Sequence, residues 1–127
     1  MYPTYMQDAA NRSRPVPLSA TDWHVLVALH EEDLHGYAIM KVVARDSGGA
    51  VSAEIGSLYR ILSRLMADGL VAEVRAPKDA PAETRGRPRR YYRLTSSGRA
   101  ALRQESLRLR DAHRLAEARQ LVPKGSR

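Results

Sequence analysis

Ser57, Arg60 and Arg64 are spaced three and four apart, so on a helix they stack on a single face. A guanidinium carries five N–H donors in a fixed fork, which matches the paired acceptors of a guanine edge or the oxygens of a phosphate. A serine near a helix start suits a phosphate or a base edge, helped by the backbone N–H groups that the first turn leaves unpaired. Tyr59 stands at the border of this face. Its ring can pack while its hydroxyl reaches a phosphate, or the whole side chain can belong to the core. A second basic group lies in residues 75–93, where Arg75, Lys78, Arg85, Arg87, Arg89, Arg90 and Arg93 are set against Asp79 and Glu83 alone. Seven bases less two acids give this stretch +5 of the chain's formal net charge of +7. Such a patch suits a polyanion such as double-stranded DNA, and it also describes a solvated, arginine-rich loop.

The same residue types do not assemble an enzyme. His30 and His35 flank two glutamates and an aspartate, but a zinc-protease pair needs its histidines four apart on one helical face, and these two are five apart across a turn. There are no cysteines, hence no disulfide, thiolate metal site or thiol nucleophile. No glycine-rich phosphate loop, nucleophile elbow or carboxylate pair is present. His24 and His113 stand alone, as surface or packing residues. No catalytic residue, metal site or cofactor is expected.

The arginine face must be carried by a helix, and residues 56–70 supply one. Leu58, Tyr59, Leu62, Leu65, Met66 and Leu70 recur at the spacing of one buried stripe, and Gly69 is placed to end the helix in a left-handed cap. Upstream, Leu18, Ser19, Asp22 and Trp23 mark a helix start: Ser19 as cap, Asp22 as the acidic third residue, Leu18 and Trp23 as a hydrophobic staple. Trp23, Leu26, Val27 and His30 share one side of that helix. Trp23 is read as core or dimer-interface packing, with stacking on a ligand as the alternative. A second helix runs from the His35–Gly36–Tyr37 region to about Asp46, with Tyr37, Met40, Val43 and Ala44 as its stripe. Ser47, Gly48 and Gly49 end it, and Val51 is a candidate for a single rung of strand. Residues 70–74 and 89–94 read as two strands of a hairpin. Three prolines and Gly86 make residues 76–88 a loop. A last helix spans about 96–120, with Leu102, Leu109 and Ala116 seven apart, Ala112 between them and Leu115 alongside. That sparse seam suits a two-helix contact with a second chain.

A length of 127 residues with 43% hydrophobic content implies one domain with a small core, to which oligomerisation would add burial. No apolar run approaches the roughly 20 residues that cross a bilayer, and the start of the chain has no basic-then-apolar export pattern. A cytoplasmic protein without membrane contact is expected. The organisation expected is a flexible arm over 1–17, a DNA-binding domain over 18–94, a dimerisation helix over 95–120 and a tail over 121–127.

The element order is helix, helix, helix, strand, basic loop, strand, helix. This is a mainly α fold with a small β-hairpin: a winged helix-turn-helix followed by a long C-terminal dimerisation helix. Particular residues sharpen it. His35-Gly36-Tyr37-Ala38-Ile39, Gly56-Ser57-Leu58-Tyr59, Leu62 with Leu65, Asp68-Gly69-Leu70, and Arg90-Tyr91-Tyr92-Arg93-Leu94-Thr95 with Gly98 together resemble the PadR family of bacterial transcriptional regulators, in its short form with one C-terminal helix. The resemblance covers roughly residues 18–120. It implies DNA binding by the third helix and the wing, a homodimer built largely on the last helix, and repression. It also implies, for some members, release by a small hydrophobic, aromatic or cationic effector. Two departures stand out. Many members have proline where this chain has Arg60, which adds a charge to the presumed DNA face. The last helix has no tryptophan, so an aromatic ligand sandwiched between two such helices is not supported.

Residue roles follow from the two readings together. Ser57, Tyr59, Arg60 and Arg64 would face the major groove, and Arg85, Arg87, Arg89 and Arg90 would serve the wing. Arg85-Gly86-Arg87-Pro88 is also the core of the AT-hook, in which glycine lets the backbone sit deep in a narrow minor groove while the arginines meet its enhanced negative potential. Trp23, Leu102, Leu109, Ala112 and Ala116 would form the dimer interface. The alternative function is a winged-helix module for protein–protein assembly, which has no need of arginine on both helix and wing.

Overall fold

The computed structural model describes residues 17–80 and 90–125. Among them are four helices, α1 (Ala20–Glu31), α2 (Gly36–Asp46), α3 (Ile55–Ala67) and α4 (Ser96–Ala118), and three short strands, β1 (Leu34–His35), β2 (Val71–Val74) and β3 (Tyr91–Leu94). The strands form one antiparallel sheet in the order β1-β3-β2. Leu34 pairs with Tyr92 and His35 with Tyr91, while Val71 to Val74 run opposite Leu94 to Tyr91. The mainly α winged-helix reading holds, with a third strand added. β1 is two residues long and carries no periodicity of its own; it becomes a strand because β3 offers it a free ladder edge. Val51 lies in no strand.

Residues Leu18–Leu102 form one compact unit, and residues 103–125 belong to a second. The core of the first unit gathers Val25, Leu26 and Leu29 from α1, Ile39 and Val43 from α2, Leu58, Leu62 and Leu65 from α3, and Val71, Tyr92, Leu94 and Leu102. On α1 the Ser19 hydroxyl accepts the Asp22 N–H at 3.0 Å, the expected cap. Its buried face is not the expected one: Val25, Ala28 and Leu29 are buried beside Leu26, while His30 is exposed. The run Val25 to Leu29 is apolar on every side, so spacing alone does not select a face. On α2 the buried row is Gly36, Ile39 and Val43, and Tyr37 is 50% exposed. The stripe read from Tyr37, Met40 and Ala44 is the adjacent row.

The connections are closed by specific bonds. After α2 the Ser47 hydroxyl accepts the Val51 N–H at 3.0 Å, and Gly48 and Gly49 take positive φ values of 63° and 84°, which glycine adopts without a steric penalty. Gly69 (φ 77°) ends α3 as expected. Its carbonyl accepts the Thr95 hydroxyl at 2.6 Å, and that hydroxyl in turn accepts the Gly98 N–H at 2.9 Å at the start of α4.

In the second unit, Arg108 is paired with the buried carboxylate of Glu105 through its Nε at 3.0 Å. The Gly125 N–H folds back to donate to Glu117 at 2.7 Å. Among the described residues no helix is long and apolar enough to cross a membrane, and no group of three or more histidines or carboxylates could hold a metal ion.

Candidate nucleic-acid interface

Helix α3 forms because its leucines fall on one stripe. Leu58, Leu62 and Leu65 are each at most 1% exposed, so the opposite face is turned outward. Ser57 and Arg60 lie there together, the Arg60 guanidinium donating to the Ser57 hydroxyl at 3.0 Å. Among the described residues no carboxylate pairs with Arg60. The helix begins at Glu54, whose side chain makes no capping hydrogen bond. The first-turn N–H groups beside Ser57 are therefore not occupied by their own cap, and they add positive partial charge to that end.

Tyr59 is 40% exposed, between the two sequence-based alternatives. Its hydroxyl lies over Gly36: a Cβ placed on Gly36 would come within 3.0 Å of that oxygen and 3.2 Å of the ring carbon bearing it. Two motifs far apart in sequence thus meet, and the absence of a side chain at Gly36 is what admits the tyrosine. Gly36→Ala is expected to displace Tyr59 and to lower folding stability by about 1 kcal/mol. Tyr59→Phe in the same chain removes the nearest atom, so it should restore part of the loss in urea denaturation. Behind Tyr59, burial pushes the Tyr92 hydroxyl to a higher pKa, and the nearby Tyr59 and Glu73 add to the rise. The Arg90 guanidinium, hydrogen-bonded to that hydroxyl, works in the opposite direction. Arg90 itself is exposed and stands at the foot of the loop between β2 and β3. Arg85, Arg87 and Arg89 lie outside the described residues.

Arg64 points elsewhere than sequence spacing implied. Its guanidinium donates to the Asp22 carboxylate on α1 at 2.6 Å, and this bond, ahead of the charge of the same carboxylate, raises the arginine's pKa. Arg93, counted with the basic segment, is likewise taken: its Nε and Nη2 donate to Asp33 at 3.1 and 2.8 Å. Among the described bases of that segment, Arg93 is thus neutralised by a carboxylate from outside it. Asp22 was legible only as a helix-start residue; nothing in its neighbours announces a partner 42 positions away.

The residues read as a dimer interface divide. Leu102 is 7% exposed and belongs to the core cluster of its own chain, so within one protomer it is already mostly covered, although the heptad spacing runs through it. Leu109 is 39% exposed, Leu115 54%, Ala112 is exposed and Ala116 half-buried. Trp23 is half-buried against the core and meets the His24 ring edge-on with centroids 5.0 Å apart.

Residues 25–104 match the sequence profile of the Transcriptional regulator PadR-like family. The chain belongs to this family. It is 35% identical over 96 residues to the transcriptional regulator Rv3488 of Mycobacterium tuberculosis, a match that spans 76% of this chain and 81% of the relative. In fold it is similar to a PadR family transcription regulator from Clostridium difficile, with a TM-score of 0.64 at 21% identity, covering 79% of this chain and 97% of the other. It is also similar to Bacillus subtilis PadR in complex with operator DNA, with a TM-score of 0.55 at 22% identity, covering 68% of this chain and 46% of that one. The PadR-like family consists of transcriptional regulators, so the chain is a regulator rather than an enzyme.

Proposed function

We propose that this PadR-like regulator is a homodimeric repressor that binds a near-palindromic operator in double-stranded DNA, with α3 in the major groove. The N-terminal half of α3 carries this reading: Arg60, exposed and without a carboxylate partner among the described residues, stands beside Ser57 on a helix start without a side-chain cap. A protein-binding helix face has no need of an exposed arginine beside uncapped N–H donors, whereas guanine and phosphate accept from both. Tyr59 and Arg90 would hold flanking phosphates. Arg85, Arg87 and Arg89 complete the proposed wing contact. The twofold would be built on Leu109, Ala112, Leu115 and Ala116 of α4, with Trp23 contributing from α1. A small hydrophobic or aromatic effector would release the DNA by changing the separation of the two α3 helices. A regulator acting on bacterial DNA in this way would work in the cytoplasm.

Selection of bound sequences from a random DNA pool tests this directly. The expected product is a near-palindrome with half-sites about 34 Å apart, one turn of duplex, or a multiple of it. Arg60→Ala should then lose roughly 1–3 kcal/mol on the selected operator and relax preference at one or two positions. A pool that yields no sequence, or a single asymmetric site bound by one protomer, would overturn the proposal.

A further inference from the structure

Helix α3 carries the face proposed to read DNA, yet its second arginine is already engaged. Arg64 donates to Asp22 at 2.6 Å, and the two side chains differ sharply in exposure, 52% for Arg64 and 9% for Asp22. Asp22 is fixed at its backbone end as well, because its N–H is the one that donates to the Ser19 hydroxyl. A carboxylate this buried depends on its partner, since removal of Arg64 leaves a buried charge uncompensated. The pair therefore ties the C-terminal half of α3 to the first turn of α1.

The apolar stripe of α3 cannot supply the same constraint. Burial of Leu58, Leu62 and Leu65 sets how deeply the helix sits, but hydrophobic contact is non-directional and resists rotation about the helix axis only through packing. A charge-assisted hydrogen bond is short and directional. Arg64 lies seven residues beyond Ser57, about 10 Å along the axis, so a bond there acts on Ser57 and Arg60 through a rigid helix. Bidentate contact with a base edge tolerates little misplacement.

We infer that the Asp22–Arg64 pair is a positioning device, which fixes the rotation of α3 so that Ser57 and Arg60 meet the groove together, and that Arg64 touches no base. The inference rests on the DNA-binding reading and deepens it by dividing roles along the helix: the N-terminal half reads and the C-terminal half holds. Loss of the pair then weakens every reader at once and leaves each reader's preference intact.

The test compares Asp22→Asn, Arg64→Met and their combination in the full chain. It measures affinity for the selected operator at several salt concentrations, base preference at each position, and amide exchange along Ile55–Ala67 in the free protein. Each single variant should lower affinity roughly tenfold, within the range by which residues off a contact surface alter binding. The double variant should lose no more than either single one. The salt slope and the base preferences should match wild type, and exchange in α3 should quicken equally in all three. Arg64→Lys, which keeps the charge, should regain part of the affinity and also serves if the methionine variant fails to fold. Relaxed preference at one position in Arg64→Met but not in Asp22→Asn would overturn the inference and make Arg64 a base reader. A salt slope reduced by about 0.9 in the Arg64 variants alone would overturn it in favour of a phosphate contact. Additive losses, or unchanged affinity, would overturn it as well. If wild type selects no sequence, the DNA-binding reading fails on its own, and unchanged amide exchange in the variants would separately show that the pair does not hold α3.

Discussion

Replacement of Gly98 by alanine is expected to lower folding stability by about 3 kcal/mol, the upper end for forcing a methyl group into a filled core. A Cβ built on Gly98 would stand 2.1 Å from the Leu70 carbonyl oxygen and 2.7 Å from a Leu94 methyl. The first obstacle is backbone and cannot rotate away. It cannot retreat either, because the Leu70 carbonyl accepts the Thr95 N–H at 3.1 Å and the neighbouring Gly69 carbonyl accepts the Thr95 hydroxyl. The contact seats the start of α4 on the turn between α3 and β2, so its loss should loosen both the end of α3 and the wing. Urea denaturation followed by circular dichroism measures the effect. Gly56→Ala supplies the contrast: nothing lies within 4 Å of a Cβ there, and a glycine in a helix with open space around it should gain up to about 1 kcal/mol when replaced by alanine. Equal midpoints for the two variants would show that the Gly98 contact carries no strain.

The contrast between those two glycines marks the limit of what the sequence discloses. Both stand in the short motifs that carry the resemblance to the PadR family, yet only tertiary geometry shows which one is sterically obligatory. Helix α3 was legible because Ser57, Arg60, Ser63 and Arg64 interrupt the apolar residues around Leu58, Leu62 and Leu65, and a period needs that contrast to be visible. Helix α1 lacked it: with five apolar residues in a row from Val25 to Leu29, the core chooses the face. β1 was hidden because two residues cannot display alternation, and its pairing depends on β3, which lies more than fifty positions away. Charge was the least transferable signal. Arg60 and Arg64 are equivalent by type and spacing, but one is exposed beside Ser57 and the other is bound to a buried aspartate on another helix. A long flexible cation finds the partner that folding supplies, and sequence spacing records only where its Cα sits.

The same distinction yields the second large effect, on two leucines seven residues apart in α4. Leu102 is 7% exposed and packs in the core with Leu94 and Val71, whereas Leu109 is 39% exposed. Leu102→Ala should therefore cost about 2–5 kcal/mol of folding stability, the range for truncating a buried leucine. In fully folded protein it should leave the association state unchanged. Leu109→Asp should do the reverse. An exposed helical position tolerates aspartate with little loss of fold, but a charge set into the proposed apolar seam would be buried without a partner in the dimer. Sedimentation equilibrium should show Leu109→Asp as a monomer with a near-native denaturation midpoint, and its affinity for a twofold operator should fall because the two α3 helices are no longer linked. If Leu109→Asp still sediments as an unperturbed dimer, the seam on α4 is misplaced and the association surface must be sought elsewhere. If Leu102→Ala alone dissociates the dimer while keeping its stability, the leucine faces a partner after all, and its burial within one protomer does not report its role.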